Sequence, residues 1–382
     1  MKNLIYIFIF LVGSLANAQT ALNHTGDMQF HAGAQVGFHT SFINNAPFDQ
    51  NLGLAGFYGS NFLNIQGSVS PIFYDFEINA DNGLILNTAA SATNSVNFIY
   101  GDIISQKSLQ DIYFGLLADA MYNGESNVSK IDSYALITNQ QAYSFPVGDE
   151  TQLRPLILNS NSVNLTARCA YFFENPNSPL SFSDIFDTGE RERQLDLVNT
   201  KEFWRVEGSV PSTVTLSWNL RSEIANLTEE IENLLVVGWN KALREWSILG
   251  NSAVSGDASN GIITSGTFVP DNYDIITIGS LLVPQDRLTI DNFYLSPNGD
   301  GINDALVIEE LALSSQNEVK IYDRNGLLVF IKENYTNEFT GISNVDNLVI
   351  NREAGLPGGV YFYIVNMYDL GYEFQGFLYL AQ

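Results

Sequence analysis

A single cysteine, Cys169, stands among 382 residues, and one thiol cannot close an internal disulfide. The fold must therefore be held by apolar burial, for which 25 Phe and 18 Tyr supply the material. In "LTARCAYFF" the cysteine lies in an alternating, strand-like run, which makes it a buried structural thiol rather than a nucleophile. Positive charge is scarce too, with 17 Lys and Arg against 42 Asp and Glu. The excess is spread along the chain: 9 acids to 1 base over 19–128, 20 to 10 over 129–286, and 13 to 5 over 287–382. With no basic cluster to displace counterions, nucleic acid is excluded as a partner. The acidic exterior reads as a solvated surface.

The common catalytic signatures are missing as well. There is no Gly-x-Ser-x-Gly elbow, no His-Glu-x-x-His and no Gly-x-x-x-x-Gly-Lys loop, so the chain is expected not to be an enzyme. Its three histidines, His24, His31 and His39, fall at spacings of seven and eight in a segment that reads equally as strand or loop. A zinc site there is the weaker reading beside an ordinary N-terminal segment. A pair of carboxylates could still serve a carbohydrate-active or carbohydrate-binding protein, and Trp204, Trp218, Trp239 and Trp246 share one short block. Trp218 falls in the alternating register of "STVTLSWNL", where Val214 and Leu216 share its face, so core packing outweighs sugar stacking.

Only one long apolar run exists, Leu4 to Leu15. With Lys2 before it and Ala16, Asn17 and Ala18 after it, residues 1–18 read as a signal peptide. The run is too short for a stable anchor, and no later stretch approaches the ~18 residues a spanning helix needs. Beyond it the chain reads as strand after strand, short apolar or alternating runs broken by Gly, Asn, Asp and Ser about every ten residues. No strict period emerges, so residues 19–128 read as a β-rich passenger region rather than a solenoid. Residues 129–286 read as a β-sandwich-like module. One helix is expected in that module, because Ile224, Leu227, Ile231 and Leu234 recur at helical spacing after a cap at Ser222, with Glu223, Glu229, Glu230 and Glu232 on its wet face. Pro284 to Arg287 reads as a linker.

The remaining segment carries four pieces in order: "SPNGDGIND" at Ser296–Asp304, "VKIYDRNGLLVF" at Val319–Phe330, "LPGGVYFYIV" at Leu356–Val365 and "GFLYLAQ" at Gly376–Gln382. Together they resemble the gliding-motility-associated C-terminal domain, the type B sorting domain of proteins exported by the type IX secretion system of Bacteroidota. The resemblance covers residues 287–382 and implies an Ig-like β-sandwich, a partner in the type IX translocon, a PorP/SprF-type outer-membrane partner protein, and a secreted or cell-surface destination. Adhesion or scaffolding, with surface polysaccharide as a further partner, then becomes the expected work of a noncatalytic passenger. Family members carry Trp-Asp-Gly after the second hairpin and a basic residue near the end. Here "EFTG" stands at Glu338–Gly341 and the chain finishes in Ala381 and Gln382.

The residues themselves explain much of this signature. Ser296, Pro297, Asn298, Gly299, Asp300, Gly301, Asn303 and Asp304 are turn formers, and Asx side chains bond their own backbone. Asn298, Asp300 and Asp304 also stand at a spacing reminiscent of calcium loops, although no glutamate occupies the bidentate last position, so calcium is the second reading. Asn325 and Gly326 are expected to supply positive φ angles at a hairpin turn. The strand from Gly376 to the end is expected to offer an edge for a partner.

Overall fold

The computed structural model describes residues 21–282, 293–345 and 355–381. The expected signal peptide and the expected linker lie outside the described residues. The chain divides into two compact units, Met1–Leu281 and Leu282–Gln382, and it is all-β, with short 3-10 turns as the only helical elements among the described residues.

Among the described residues the first unit opens with twelve short strands: β1 (Ala21–His24), β2 (Gln35–Phe38), β3 (Ser41–Asn44), β4 (Leu54–Gly59), β5 (Leu63–Gln66), β6 (Ile72–Ala80), β7 (Leu84–Leu86), β8 (Ala90–Tyr100), β9 (Ile103–Ile104), β10 (Tyr113–Leu116), β11 (Met121–Asn123) and β12 (Ile131–Asp132). They pair in parallel, one sheet running β1-β3-β5-β7-β9-β12 and the other β2-β4-β6-β8-β10. The chain thus winds from one sheet to the other and back, stacking coil on coil like a solenoid. The solenoid, the weaker expectation from sequence, is the arrangement that forms. The reason lies in the spacing of partners: Ser41 lies 20 residues beyond Ala21, Ile65 lies 23 beyond Phe42, Ile103 lies 19 beyond Leu84 and Ile131 lies 28 beyond Ile103. A period that drifts this much leaves no strict repeat to find.

Inside the coils, rings stack from turn to turn. Phe38 lies parallel to Phe57 with centroids 4.7 Å apart, Phe57 meets Phe76 at 5.4 Å, and Phe76 meets Phe114 at 4.9 Å. Buried asparagines stitch the corners, where backbone groups would otherwise go unpaired. Asn51 accepts from Phe30 N and donates to Ile72 O, both at 2.9 Å, and Asn44 donates to Val69 O at 2.9 Å. Where the chain turns hardest only glycine fits: Gly101 has φ +87°, and a Cβ there would stand 1.9 Å from Ala80 O.

The coils pass without a break into an antiparallel sheet, so the stretches before and after residue 128 share one compact unit. This part contains β13 (Tyr134–Phe145), β14 (Leu156–Phe172), β15 (Leu195–Val198), β16 (Phe203–Glu207), β17 (Ser212–Asn219), β18 (Leu234–Asn240), β19 (Glu245–Gly250), β20 (Ala253–Asp257), β21 (Asn260–Thr264) and β22 (Tyr273–Leu281). β13 joins β10 in parallel and β14 in antiparallel fashion. The 17-residue β14 then serves two branches, since Ile157–Ser160 pair with β17 while Arg168–Phe172 pair with β16. Val214, Leu216 and Trp218 from one branch and Trp204, Val206 and Ile276 from the other lie in the same buried cluster. β17 alternates buried and half-buried along its whole length, as its sequence demands.

The expected helix does not form. Three 3-10 turns stand in its place, at Leu220–Ser222, Ile224–Asn226 and Ile231–Asn233. Ser222 is held by tertiary bonds, its hydroxyl accepting from Arg154 Nη2 and its carbonyl from Asn199 Nδ2. Glu223 then adopts a left-handed φ of +52°, which no helix interior accommodates. Ile224, Leu227 and Leu234 still reach the core and Ile231 packs against it; four apolar contacts imitated a helical period.

The second unit holds β23 (Phe293–Leu295), β24 (Asn317–Tyr322), β25 (Leu328–Glu333), β26 (Gly359–Met367) and β27 (Tyr372–Leu380). They form one five-stranded sheet in the order β23-β27-β26-β24-β25, antiparallel except for β23 beside β27. Leu306, Ile308 and Leu311 join Tyr335 and Phe339 in covering one sheet face, where Val319, Ile321, Tyr363, Val365 and Leu378 complete the core.

Candidate functional site

The signature loop follows β23 and bonds almost entirely to itself. Asp304 accepts from Gly299 N and Gly301 N, one to each carboxylate oxygen, both at 2.8 Å. Asn298 Oδ1 accepts from Asp300 N at 2.9 Å, and Asp300 Oδ1 accepts from Ile302 N at 2.8 Å. Positive φ at Gly299, Gly301 and Asn303 makes these reversals reachable. The amides of Gly299 and then Gly301 hold the Asp304 carboxyl below its ordinary value. Ser296 N closes the loop by donating to Asn303 O at 2.9 Å.

This donor set fits a turn better than a cation cage. The oxygens of Asn298, Asp300 and Asp304 already face N–H groups, and a hard cation needs six or more oxygens free to converge. Among the described residues, no group of three or more His, Cys, Asp or Glu side chains is placed to hold a metal ion.

At the hairpin, Asp323 rather than Asn325 organises the turn: its Oδ1 accepts from Asn325 N at 2.9 Å and from Leu327 N at 2.8 Å. Only Gly326 has positive φ, +82°, so the expectation of two left-handed residues is corrected to one. A three-residue turn closes between Asp323 N and Leu327 O at 2.8 Å, and a separate bulge at Val329 then shifts the ladder between Tyr322 and Ile321. Gly326 and Gly376, distant in sequence, line one shallow pocket with Tyr322, Phe362, Gln375 and Phe377. Phe339 of "EFTG" is buried against Phe330, with ring centroids 5.0 Å apart.

The last strand is not a bare edge. β23 lies along its end, pairing Phe293 with Leu378, Tyr294 with Tyr379 and Leu295 with Leu380, while β26 pairs its whole length. Ala381 N then donates to Leu295 O at 2.7 Å. The signature loop therefore leaves the strand that flanks the final residues, and Pro297 and Leu380 both lie against Gly341. On the far side of the sheet the Asn344 side chain plugs the edge of β25, donating to Ile331 O at 2.6 Å and accepting from Ile331 N at 3.0 Å.

In the first unit most of the residues singled out for chemistry are consumed in packing, whereas His31 and His39 are exposed and, among the described residues, join no group of side chains placed to hold a metal ion. Cys169 is fully buried, and burial pushes its thiol well above the ordinary value. His24 is buried, meeting Asn44 Oδ1 at 2.6 Å and the Phe48 ring edge-on. All four tryptophans are buried, with Trp204 Nε1 donating to Arg154 O, Trp218 Nε1 to Asp257 O and Trp246 Nε1 to Phe186 O. None offers a ring face to a sugar.

Sequence reasoning missed a buried polar network. Arg154 Nη2 reaches Glu202 Oε1 at 2.5 Å, and Tyr171 donates to Glu202 Oε2 at 2.5 Å. Arg221 donates to Asp149 and to the Tyr171 hydroxyl. Burial pushes Asp149 up, but Arg221 and the amides of Thr151 and Gln152 outweigh it and hold the carboxyl below its usual value. A second knot closes the last coil: Lys130, with no exposed side chain, meets both oxygens of Asp102 at 2.9 Å, and Lys107 meets Asp132 at 2.5 Å. These partners lie up to 72 residues apart, and no local pattern announces them.

No curated protein and no solved structure matches the chain. Residues 288–380, which hold the signature loop, both hairpins and the flanked last strand, match the family model of the CHU_C Type IX secretion signal domain, and a signal of that family indicates an exported protein sorted through type IX secretion.

Proposed function

We infer that the chain is a noncatalytic structural or adhesive protein of the cell surface or medium. Residues 1–18 take it across the inner membrane, and the second unit hands it to the type IX translocon through a PorP/SprF-type outer-membrane partner. The observation that carries the reading is the family match over 288–380, laid on a unit whose loop, hairpins and final strand complete one another. A noncatalytic passenger is supported by how its polar and aromatic residues are spent. Four indoles, the lone thiol and the long buried cations serve packing and internal pairing. Solvated acidic surface and stacked coils suit an extracellular spacer or adhesive body, and surface polysaccharide is the ligand such a body would meet.

The test is fractionation of a host that has type IX secretion and expresses the full chain or a version lacking residues 287–382. Full-length protein is expected at the surface or in the medium, and the truncated form in the periplasm. Equal distribution of the two would overturn the sorting role.

A further inference from the structure

The second unit's sheet has one face on the core and one in solvent, and the solvent face is graded. Cross-strand register sorts its outward residues into rows. Nearest the chain end stand Tyr294, Tyr379 and Val360, then Phe377, Phe362 and Tyr322. The third row has Gln375, Ile364 and Lys320, and the fourth Glu373, Asn366 and Glu318, the last of them buried and accepting from the Tyr368 hydroxyl. Tyr294, Val360, Phe362, Phe377 and Tyr379 are 42 to 54% exposed. The rings of Tyr294 and Tyr379 stack at 5.9 Å and 12°. Below them a shallow pocket of about 640 Å³ opens between Tyr322, Phe362 and Phe377. A chain of net charge −25 thus keeps two whole rows free of charge at one end of a single sheet face, and confines Glu318, Lys320 and Glu373 to the other.

We propose that these two rows, centred on Phe362, Phe377 and Tyr379, are the surface by which the sorting unit docks on its protein partner in the secretion machinery, and that the partner offers an apolar, uncharged patch. The proposal rests on the sorting reading, which already requires a protein partner for this unit. Chemistry selects that occupant over others. Aromatic residues without neighbouring charge are the composition of protein-interface cores. A sugar would need several convergent hydrogen-bonding groups beside the rings, and the row that borders them offers just Gln375 and Lys320, on either side of Ile364. An anionic lipid surface would repel a segment with 13 acids and 5 bases. The charged rows at the opposite end give the footprint a rim and an orientation.

The experiment uses the full chain. Phe362→Ser with Phe377→Ser is compared with Glu373→Ser with Asn366→Ser, and with the 287–382 deletion. All four side chains point to solvent, and a thermal melt checks each fold. The apolar pair is expected to lower the exported fraction at least tenfold while the polar pair exports normally. Export of the apolar pair at the wild-type level, with the deletion retained, would overturn this surface and leave the sorting reading standing; export of the deletion as well would overturn both. Should the double variant melt early, Tyr379→Lys carries the same expectation. A photo-crosslinker at 362 should join the chain to an outer-membrane component of the translocon, and the same group at 373 should not. A self-adduct at twice the chain mass, or labelling of lipid alone, would overturn the assigned occupant.

Discussion

Arg154 and Glu202 are each almost wholly buried, and each depends on the other. Removing one charge strands its partner in a low-dielectric interior, whereas removing both lets apolar atoms take the space. Arg154→Met is therefore expected to cost about 3–5 kcal/mol in chemical denaturation, and the pair Arg154→Met with Glu202→Leu clearly less. A double variant as weak as the single would refute the coupling. Titration adds a second test. Asp149 and Glu207 are held below their ordinary values, the first by Arg221 and the second by Arg168 and Arg205, in each case against the upward push of burial. A carboxyl lowered in the folded state lends stability above its unfolded value, here 3.8 and 4.5, and loses it as pH falls through the folded one. Melting temperature should hold down to about pH 4.5 and then fall, with a shallower fall in Arg221→Ala. Asp102 has the opposite sign: burial lifts it to about 6 despite Lys130, so its contribution improves as pH drops from 6 toward 3.8. Carboxyl NMR should show it titrating near 6, and a midpoint below 4.5 would contradict its burial.

Among elements, those that close on themselves were legible and those that close on distant chain were not. The hairpin of β24 and β25 needs only Asp323 and Gly326, a short stretch of local sequence, and its place was readable from the chain alone. The alternation of β17 was readable because each residue answers to one face. By contrast, each coil strand answers to a partner some 20 residues away, at a spacing that drifts from 19 to 28. Only the corners betray it, as at Gly101. Gly101→Ala should cost about 2–3 kcal/mol, through a left-handed backbone and a Cβ lodged on Ala80 O. A thermal shift of less than about 2 °C would mean that the corner relaxes freely. The misread helix teaches the same lesson, since the hydrogen bonds that decide 220–233 come from Arg154 and Asn199, which a local window omits.

For the whole molecule, the sequence told more about destination than about work. The sorting signature is compact and ordered along the chain, so four short pieces sufficed to find it. The first unit spends its distinctive residues internally, and that is visible only once they are packed. Because all four tryptophans belong to the first unit and are buried, their emission should be blue-shifted, poorly quenched by iodide and unchanged by added oligosaccharide. Quenching by a sugar would reopen carbohydrate binding at those rings. The coil stack bears finally on the order of assembly. Each parallel strand needs only the strand one coil earlier, so a chain that emerges amino end first can lay every new turn on a finished one, without waiting for its far end. Growth of this kind keeps little apolar surface bare at any moment, which suits a protein bound for export.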